Sequence, residues 1–436
     1  MYTRWIELGK AKGLTDLEVF AVRNKSLALT IYQGKLEKHV KSDVEQVSIR
    51  GIYKEKLSTI RFENLSDQNV DKMLDQLIEN AKALTASEPA IIFEGSPSYP
   101  KIEEELFDFN LVPVTEKIEL LKRLEQGILD NPSVTQVQTT QYQELDVETT
   151  LINSKGLHLS KRNTYAYAYA IGVFQKDEDI KTAYDVKLVK DFHQFNVEEM
   201  IKSTVDQGLS KLGGKSIPTR SYPVVFSNEM FSEILGAFTS IFSGEAAYRN
   251  MSALKNKLGE KVFGENINLI NDPLHKPSHF KIPFDDEGVA CQKRYVVENG
   301  VFKGFNHNLK TASIFKTEPT GNGFNGGIAP TNFYLEPGSH SFDEMISKIE
   351  DGVYITDLVG IHAGVKAVSG DFSLQASGMK ISHGKLDHAV KMIVVSGNFF
   401  TMMNQVVDLA SDLKYDLSGV ASPSVYVGPL MISGEA

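Results

Sequence analysis

TYAYAYAIGVF, residues 164 to 174, alternates tyrosine with alanine and puts Tyr165, Tyr167 and Tyr169 on one face of an extended chain. A period of two is the signature of a strand with one face more buried than the other. A ladder of tyrosines could serve as a ligand platform. Alternation by itself favours the plainer reading, a half-buried sheet packed against a neighbouring layer.

Working outward, the run from Val134 to Phe174 is strand-rich throughout. Nearer the N-terminus, DLEVFAV (16–22), SLALTIY (26–32) and VEQVSIRGIY (44–53) are rich in β-branched and aromatic residues, with turn residues between them. The period then changes. Val70, Met73, Leu74, Leu77, Ile78, Ala81 and Leu84 fall on one helical stripe, predicting a helix over 66–84 with Ser66 or Asp67 as its cap. A Pro-bearing link, EGSPSYPKIEE, follows. Helices are expected near 115–129, with Ile118, Leu121, Leu124 and Ile128 inward, and near 196–212, ending at Gly213-Gly214.

GGKSIPTRSYP (213–223) combines a helix stop with Gly, Pro and Ser, and predicts a domain boundary near 218. The expected division is an N-terminal α+β region, 1–217, and a C-terminal domain, 218–436; a break near 90–113 would split the first into two subdomains. The second domain opens with a strand, PVVFS, and a helix near 228–242 bearing Phe231, Ile234, Leu235 and Phe238. Beyond it the chain is glycine-rich with short strands. The fold class is therefore α+β, with a mostly β C-terminal domain that has one prominent helix.

At 436 residues the chain exceeds what one core usually supports. With 46 basic and 56 acidic residues it carries a formal charge of −10, a poor footprint for nucleic acid. Cys291 is the only cysteine, so neither an internal disulfide nor a cysteine zinc cage can form. The first residues, interrupted by Arg4, Glu7, Lys10 and Lys12, do not read as a signal peptide. No apolar run approaches the ~18 residues that span a bilayer, and mean hydropathy is −0.20. A soluble cytoplasmic protein is expected.

Several stretches invite chemistry. GNGFNG (321–326) satisfies G-x-G-x-x-G, but no helical pattern follows to receive a phosphate, so it reads as a glycine loop. PFDDEGV places Asp285, Asp286 and Glu287 in a row; consecutive side chains diverge, and a solvated turn with one acid bonded to backbone is expected. None of the ten histidines precedes a glutamate, so no H-E-x-x-H helix exists. His275 and His279 are separated by Pro277 and read as surface or loop histidines, not a shared metal site. No G-x-S-x-G elbow is present. That leaves FSGEAAYRN (242–250), where Glu245 stands among small residues with Arg249 four positions on.

SALKNKLGEKVF, PFDDEGVACQKRYVVENGVFKGF, PTGNGF, GVKAVSGDFSLQASG and VSGNFFTMM, in this order, resemble the TldD/PmbA family. These proteins were once called modulators of DNA gyrase and are regarded as subunits of a cytoplasmic metalloprotease. The resemblance covers essentially the whole chain and is specific over about 220–430. It implies two branches that pair. TldD-type chains carry an H-E-x-x-x-H helix and a later cysteine that hold zinc, whose bound water becomes a nucleophile near neutral pH.

The metal helix belongs where this chain has FSGEAAYRN, without either histidine; the later cysteine is missing from DLSGVASPSVYVG (416–428). Both departures imply the PmbA (TldE) branch: a subunit with no catalytic or metal-ligating residues of its own, whose zinc is expected in a TldD-like partner. The complex would cleave unfolded or extended peptides, with Glu245 and Arg249 as candidate substrate contacts in the emptied slot, or simply as an i,i+4 pair. Neither nucleic acid nor membrane is an expected partner, and a homodimer in isolation stays open. Two alternatives also stay open: a homodimeric hydrolase built on another constellation such as His362, and a regulatory binding protein without proteolytic activity.

Overall fold

The computed structural model describes residues 1–85, 88–103, 106–415 and 417–435. Glu104, at the end of the expected link and within the expected subdomain break, lies outside the described residues, as does Asp416. The fold is α+β, and the chain forms two compact units. The first comprises Met1–Leu212 with the short segments Asp286–Ala290 and Ser313–Lys316; the second comprises the remainder.

The first unit is built on a seven-stranded sheet, β3-β2-β1-β4-β5-β6, with β7 also on β5. Its strands are β1 (Asp16–Tyr32), β2 (Lys35–Tyr53), β3 (Lys56–Glu63), β4 (Val134–Asn153), β5 (His158–Lys176), β6 (Asp179–Ala183) and β7 (Lys187–Val189). Its helices are α1 (Tyr2–Ala11), α2 (Val70–Ala83), α3 (Val114–Leu129) and α4 (Val197–Ser210). The two stretches expected as separate strands are one: β1 runs unbroken through Asn24 and Lys25, because β2 and β4 pair with it on both sides there.

The alternation at 164–170 behaves as its period demands. Ala166, Ala168 and Ala170 are buried beneath Leu121, Leu124 and Ile128 of α3 and Met200 of α4. The tyrosines take the opposite face, half-buried, with the Tyr167 and Tyr169 hydroxyls donating to Gln143 and Gln141. The layer therefore packs on the alanines, whose small side chains let the helices approach, and not on the tyrosine ladder.

Two helix details differ from expectation. The second helix starts at Val70 behind Asn69 without a side-chain cap; Asp67 instead accepts from Trp5 Nε1 at 2.6 Å. On α3, Ile118 is only half-buried, and Lys117 lies in the core at 1% exposure. Its ammonium meets Glu144 Oε2 at 2.5 Å and donates to the Phe109 carbonyl at 2.8 Å. Tyr142 donates to the same carboxylate oxygen at 2.6 Å. A buried cation persists only when its charge and donors are answered in this way.

The second unit opens with β8 (Arg220–Phe226) and α5 (Asn228–Phe238), whose cap Ser227 accepts from the Met230 amide. Phe231, Ile234, Leu235 and Phe238 are fully buried, as their spacing predicts, and Phe238 stacks on Phe399 at 4.2 Å. The helix expected to reach residue 242 becomes a 3-10 turn over Thr239–Phe242. This core sits against a seven-stranded sheet ordered Asp351–Val359, β8, Val425–Gly434, Lys385–Asn398, Asp371–Ser382 and Val365–Lys366, with Asp408–Leu409 also on Val425–Gly434. Among the described residues no helix is long and apolar enough to cross a membrane.

Candidate functional site

Ser243 ends the 3-10 turn and caps a short helix, α6 (Gly244–Tyr248), accepting from the Glu245 amide at 3.2 Å. This helix carries FSGEAAYRN. The Glu245 carboxylate is held by two cations: Arg249 Nε at 2.6 Å on Oε1, and Lys310 Nζ at 3.1 Å on Oε2. Burial opposes its ionisation most strongly, yet the hydrogen bonds and charges of Arg249 and Lys310 outweigh that and hold the carboxyl below its ordinary range. The Arg249 pair was legible in the i,i+4 spacing. Lys310 was not, because it arrives from a later helix, α7 (Leu309–Phe315).

Beside Glu245 the backbone is pinned to Asn306: the Gly244 amide donates to the Asn306 carbonyl at 2.9 Å, and the Asn306 amide to Phe242 at 2.8 Å. The next residue, His307, fills the space against Gly244. A Cβ on Gly244 would lie 2.4 Å from His307 Nδ1 and 3.0 Å from Thr311 Oγ1. His307 is buried, with Nδ1 at 3.0 Å from the Thr311 hydroxyl. Burial, reinforced by the charge of Arg294, pushes its pKa down to about 4.

This shift predicts acid sensitivity. Above pH 6.5 His307 is neutral in folded and unfolded chains alike, and its stability contribution is fully present. Between about 6.5 and about 4 only the unfolded state takes the proton, so stability should fall by up to ~3 kcal/mol. Denaturant unfolding across that window, with His307→Asn flattening the slope, checks it.

The glycine motif comes to the same place. Its residues form a hairpin of two short strands, Gly323–Phe324 and Gly327–Ile328, that packs beside α6. Asn325 and Gly326 take the left-handed backbone of a tight Asn-Gly turn. No helix follows, so the loop is not a phosphate cradle. Asp285 accepts from the Gly323 amide at 2.8 Å and is wholly buried, where a solvated turn was expected. The acids of PFDDEGV diverge: Glu287 belongs to the first unit, where it meets Arg50 at 3.2 Å, and Arg50 in turn meets buried Glu18 at 2.6 Å.

The other candidates lie elsewhere. His275 lies in a loop, as expected, but half-buried: its Nδ1 is 2.6 Å from the Tyr415 hydroxyl and its ring stacks on Tyr334 at 4.2 Å. His362 is exposed in an open groove of about 520 Å³ whose rim includes Glu233 and Ser418. It makes no hydrogen bond or ion pair among the described residues.

A zinc site needs three or four nitrogen, sulfur or oxygen ligands gathered on one point. In this slot Gly244 offers no side chain, Arg249 is a cation, and both Glu245 oxygens face cations. Among the described residues no three His, Cys, Asp or Glu side chains are grouped to hold a metal. The side chains at this position do not fit a zinc ion.

Comparison with known proteins gives the site its context. Profiles of PmbA/TldA metallopeptidases match along the chain: domain 1 over 17–81, the central domain over 107–212 and the C-terminal domain over 219–434. A metalloprotease PmbA homolog of Buchnera aphidicola is 25% identical, over 96% of this chain and 93% of its own length. The metalloprotease PmbA of Escherichia coli O157:H7 is 22% identical over 98% and 94%. A solved Thermotoga maritima structure, described as a "putative modulator of a DNA gyrase", superposes with a TM-score of 0.92 at 30% identity, covering 99% of both chains. TldE of Thermococcus kodakarensis shares the fold, with a TM-score of 0.87 at 22% identity over 99% of this chain and 100% of that one. With its three matched domains and its full-length PmbA relatives, this chain belongs to the PmbA/TldD metallopeptidase family.

Proposed function

We propose that this chain is the zinc-free subunit of a two-chain cytoplasmic metalloprotease, holding unfolded or extended peptides while a TldD-like partner supplies the metal and the nucleophile. The observation that carries the reading is the occupation of the metal-helix slot. Arg249 and Lys310 neutralise its only carboxylate, and His307 fills the space a side chain at Gly244 would need. A group clamped between two cations cannot serve as a metal ligand and is a poor general base.

Peptide holding is supported by open backbone. Among the described residues β3 pairs only with Gln46–Tyr53 of β2, so on that side the half from Lys35 to Val44 presents a free edge, exposed from Lys35 through Lys41. Extended chains add to such edges through main-chain hydrogen bonds.

Reconstitution tests the reading. Mixing the purified chain with a TldD-like chain of the same genome should give a complex that hydrolyses an unfolded peptide, with neither chain active alone and chelation abolishing the activity. Hydrolysis by this chain alone, lost in His362→Ala, would establish the homodimeric hydrolase instead. Absence of any complex would favour a non-proteolytic binding role.

A further inference from the structure

Arg294 begins the strand Arg294–Glu298, next to Leu269–Asn271. Its guanidinium is largely buried, yet it donates only to neutral oxygens: Asn306 Oδ1 at 3.0 Å and the Phe305 carbonyl at 3.2 Å. Among the described residues no carboxylate pairs with it. Loss of water lowers its pKa, with no opposing anion to restore it. An arginine withdrawn from water without a counter-ion is costly to keep unless something answers its charge.

Its setting shows where that charge could come from. Asn306, its acceptor, is the residue whose backbone holds Gly244 and so positions Glu245. Glu245 is already taken by Arg249 and Lys310, which leaves Arg294 as an extra positive charge in the same neighbourhood. Gly304 lies beside it with a backbone φ of +149°, in a region that favours glycine. Even a Cβ there would sit no closer than 3.6 Å from Arg294 Nη2 and 3.8 Å from Leu258 Cδ1. Leu258 itself is 67% exposed, an apolar side chain standing next to an unanswered cation.

We infer that Arg294 is a carboxylate-binding residue for a polypeptide ligand, with Leu258 as the apolar contact beside it. The carboxylate is the free C-terminus of an extended peptide or an Asp or Glu side chain within it. A guanidinium with vacant donors matches either through two parallel hydrogen bonds. The inference rests on the peptide-holding reading above and adds to it a preference for carboxylates.

Fluorescence anisotropy with three labelled short apolar peptides tests it on the purified full chain. One has a free C-terminus and no acidic residues, one is amidated with a single central glutamate, and one is amidated without any acid. The first or second should bind at least about 10-fold more tightly than the third, and which of them does so identifies the source of the carboxylate. Arg294→Gln should erase that preference, and Arg294→Lys should retain part of it. Leu258→Glu, at an exposed position that leaves the fold intact, should weaken binding by offering a competing carboxylate, and it decides the matter if Arg294→Gln does not fold.

Equal binding of the three peptides, binding of none, or a preference that survives in folded Arg294→Gln would overturn the inference. Equal binding would leave the peptide-holding reading standing, because that reading is judged separately by the reconstituted protease.

Discussion

Replacing Lys117 by alanine is expected to destabilise the first unit by about 3–5 kcal/mol, more than any surface substitution in the chain. The reason is what remains. Glu144 is 7% exposed and would keep only the Tyr142 hydroxyl, while the Phe109 carbonyl would keep only the Val112 amide as a donor. A buried carboxylate stripped of its cation costs far more than the same group paired. Removing both partners tests the cause. Lys117→Met with Glu144→Leu should recover most of the stability in urea unfolding, since apolar replacements of a buried pair are often neutral. A double variant as unstable as the single one would show that Lys117 acts through packing alone.

Restoring a histidine at the slot should damage the protein and not repair it. Gly244→His places a Cβ 2.4 Å from the buried His307 ring, which is itself bonded to Thr311. Overpacking combined with a broken buried hydrogen bond should cost about 4 kcal/mol. Gly244→Ala carries the same Cβ and should show much of this loss, whereas Arg249→His, at an exposed position, should cost under ~1 kcal/mol. Zinc should not rescue Gly244→His, because Lys310 would still occupy the remaining carboxylate. Thermal unfolding with and without added zinc checks this; a metal-dependent rise in Tm would show that the slot can still be refilled.

What the sequence made legible divides along physical lines. Alternation at 164–170 and the stripe on α5 were readable because burial imposes its own period on local sequence. The inward lysine was not: Lys117 sits where a charged residue ordinarily faces solvent, and only Glu144, Tyr142 and Phe109 make it tolerable there. Similarly, Asn24 and Lys25 read as turn residues, but pairing on both sides overrides that preference. Turn chemistry did carry through at Asn325-Gly326.

At the site, Glu245 and Arg249 are four residues apart and could be paired on paper. Lys310, His307 and Arg294 lie about 45 to 65 positions downstream, and nothing in local spacing announces that they return to the neighbourhood of this helix. Tertiary structure supplies the second cation, the ring that fills the slot and the unanswered guanidinium. The first of these changes the meaning of Glu245 from a lone carboxylate to a neutralised one.

The claim at the centre of this account is that the chain contributes no metal to the protease. Elemental analysis of the chain, expressed without a partner and purified without a nickel column, addresses it most directly. The account predicts well under one zinc per chain before and after incubation with the metal, with a full complement appearing only once a TldD-like chain has joined. About one tightly held zinc per isolated chain would contradict it and direct attention to histidines outside the α6 slot.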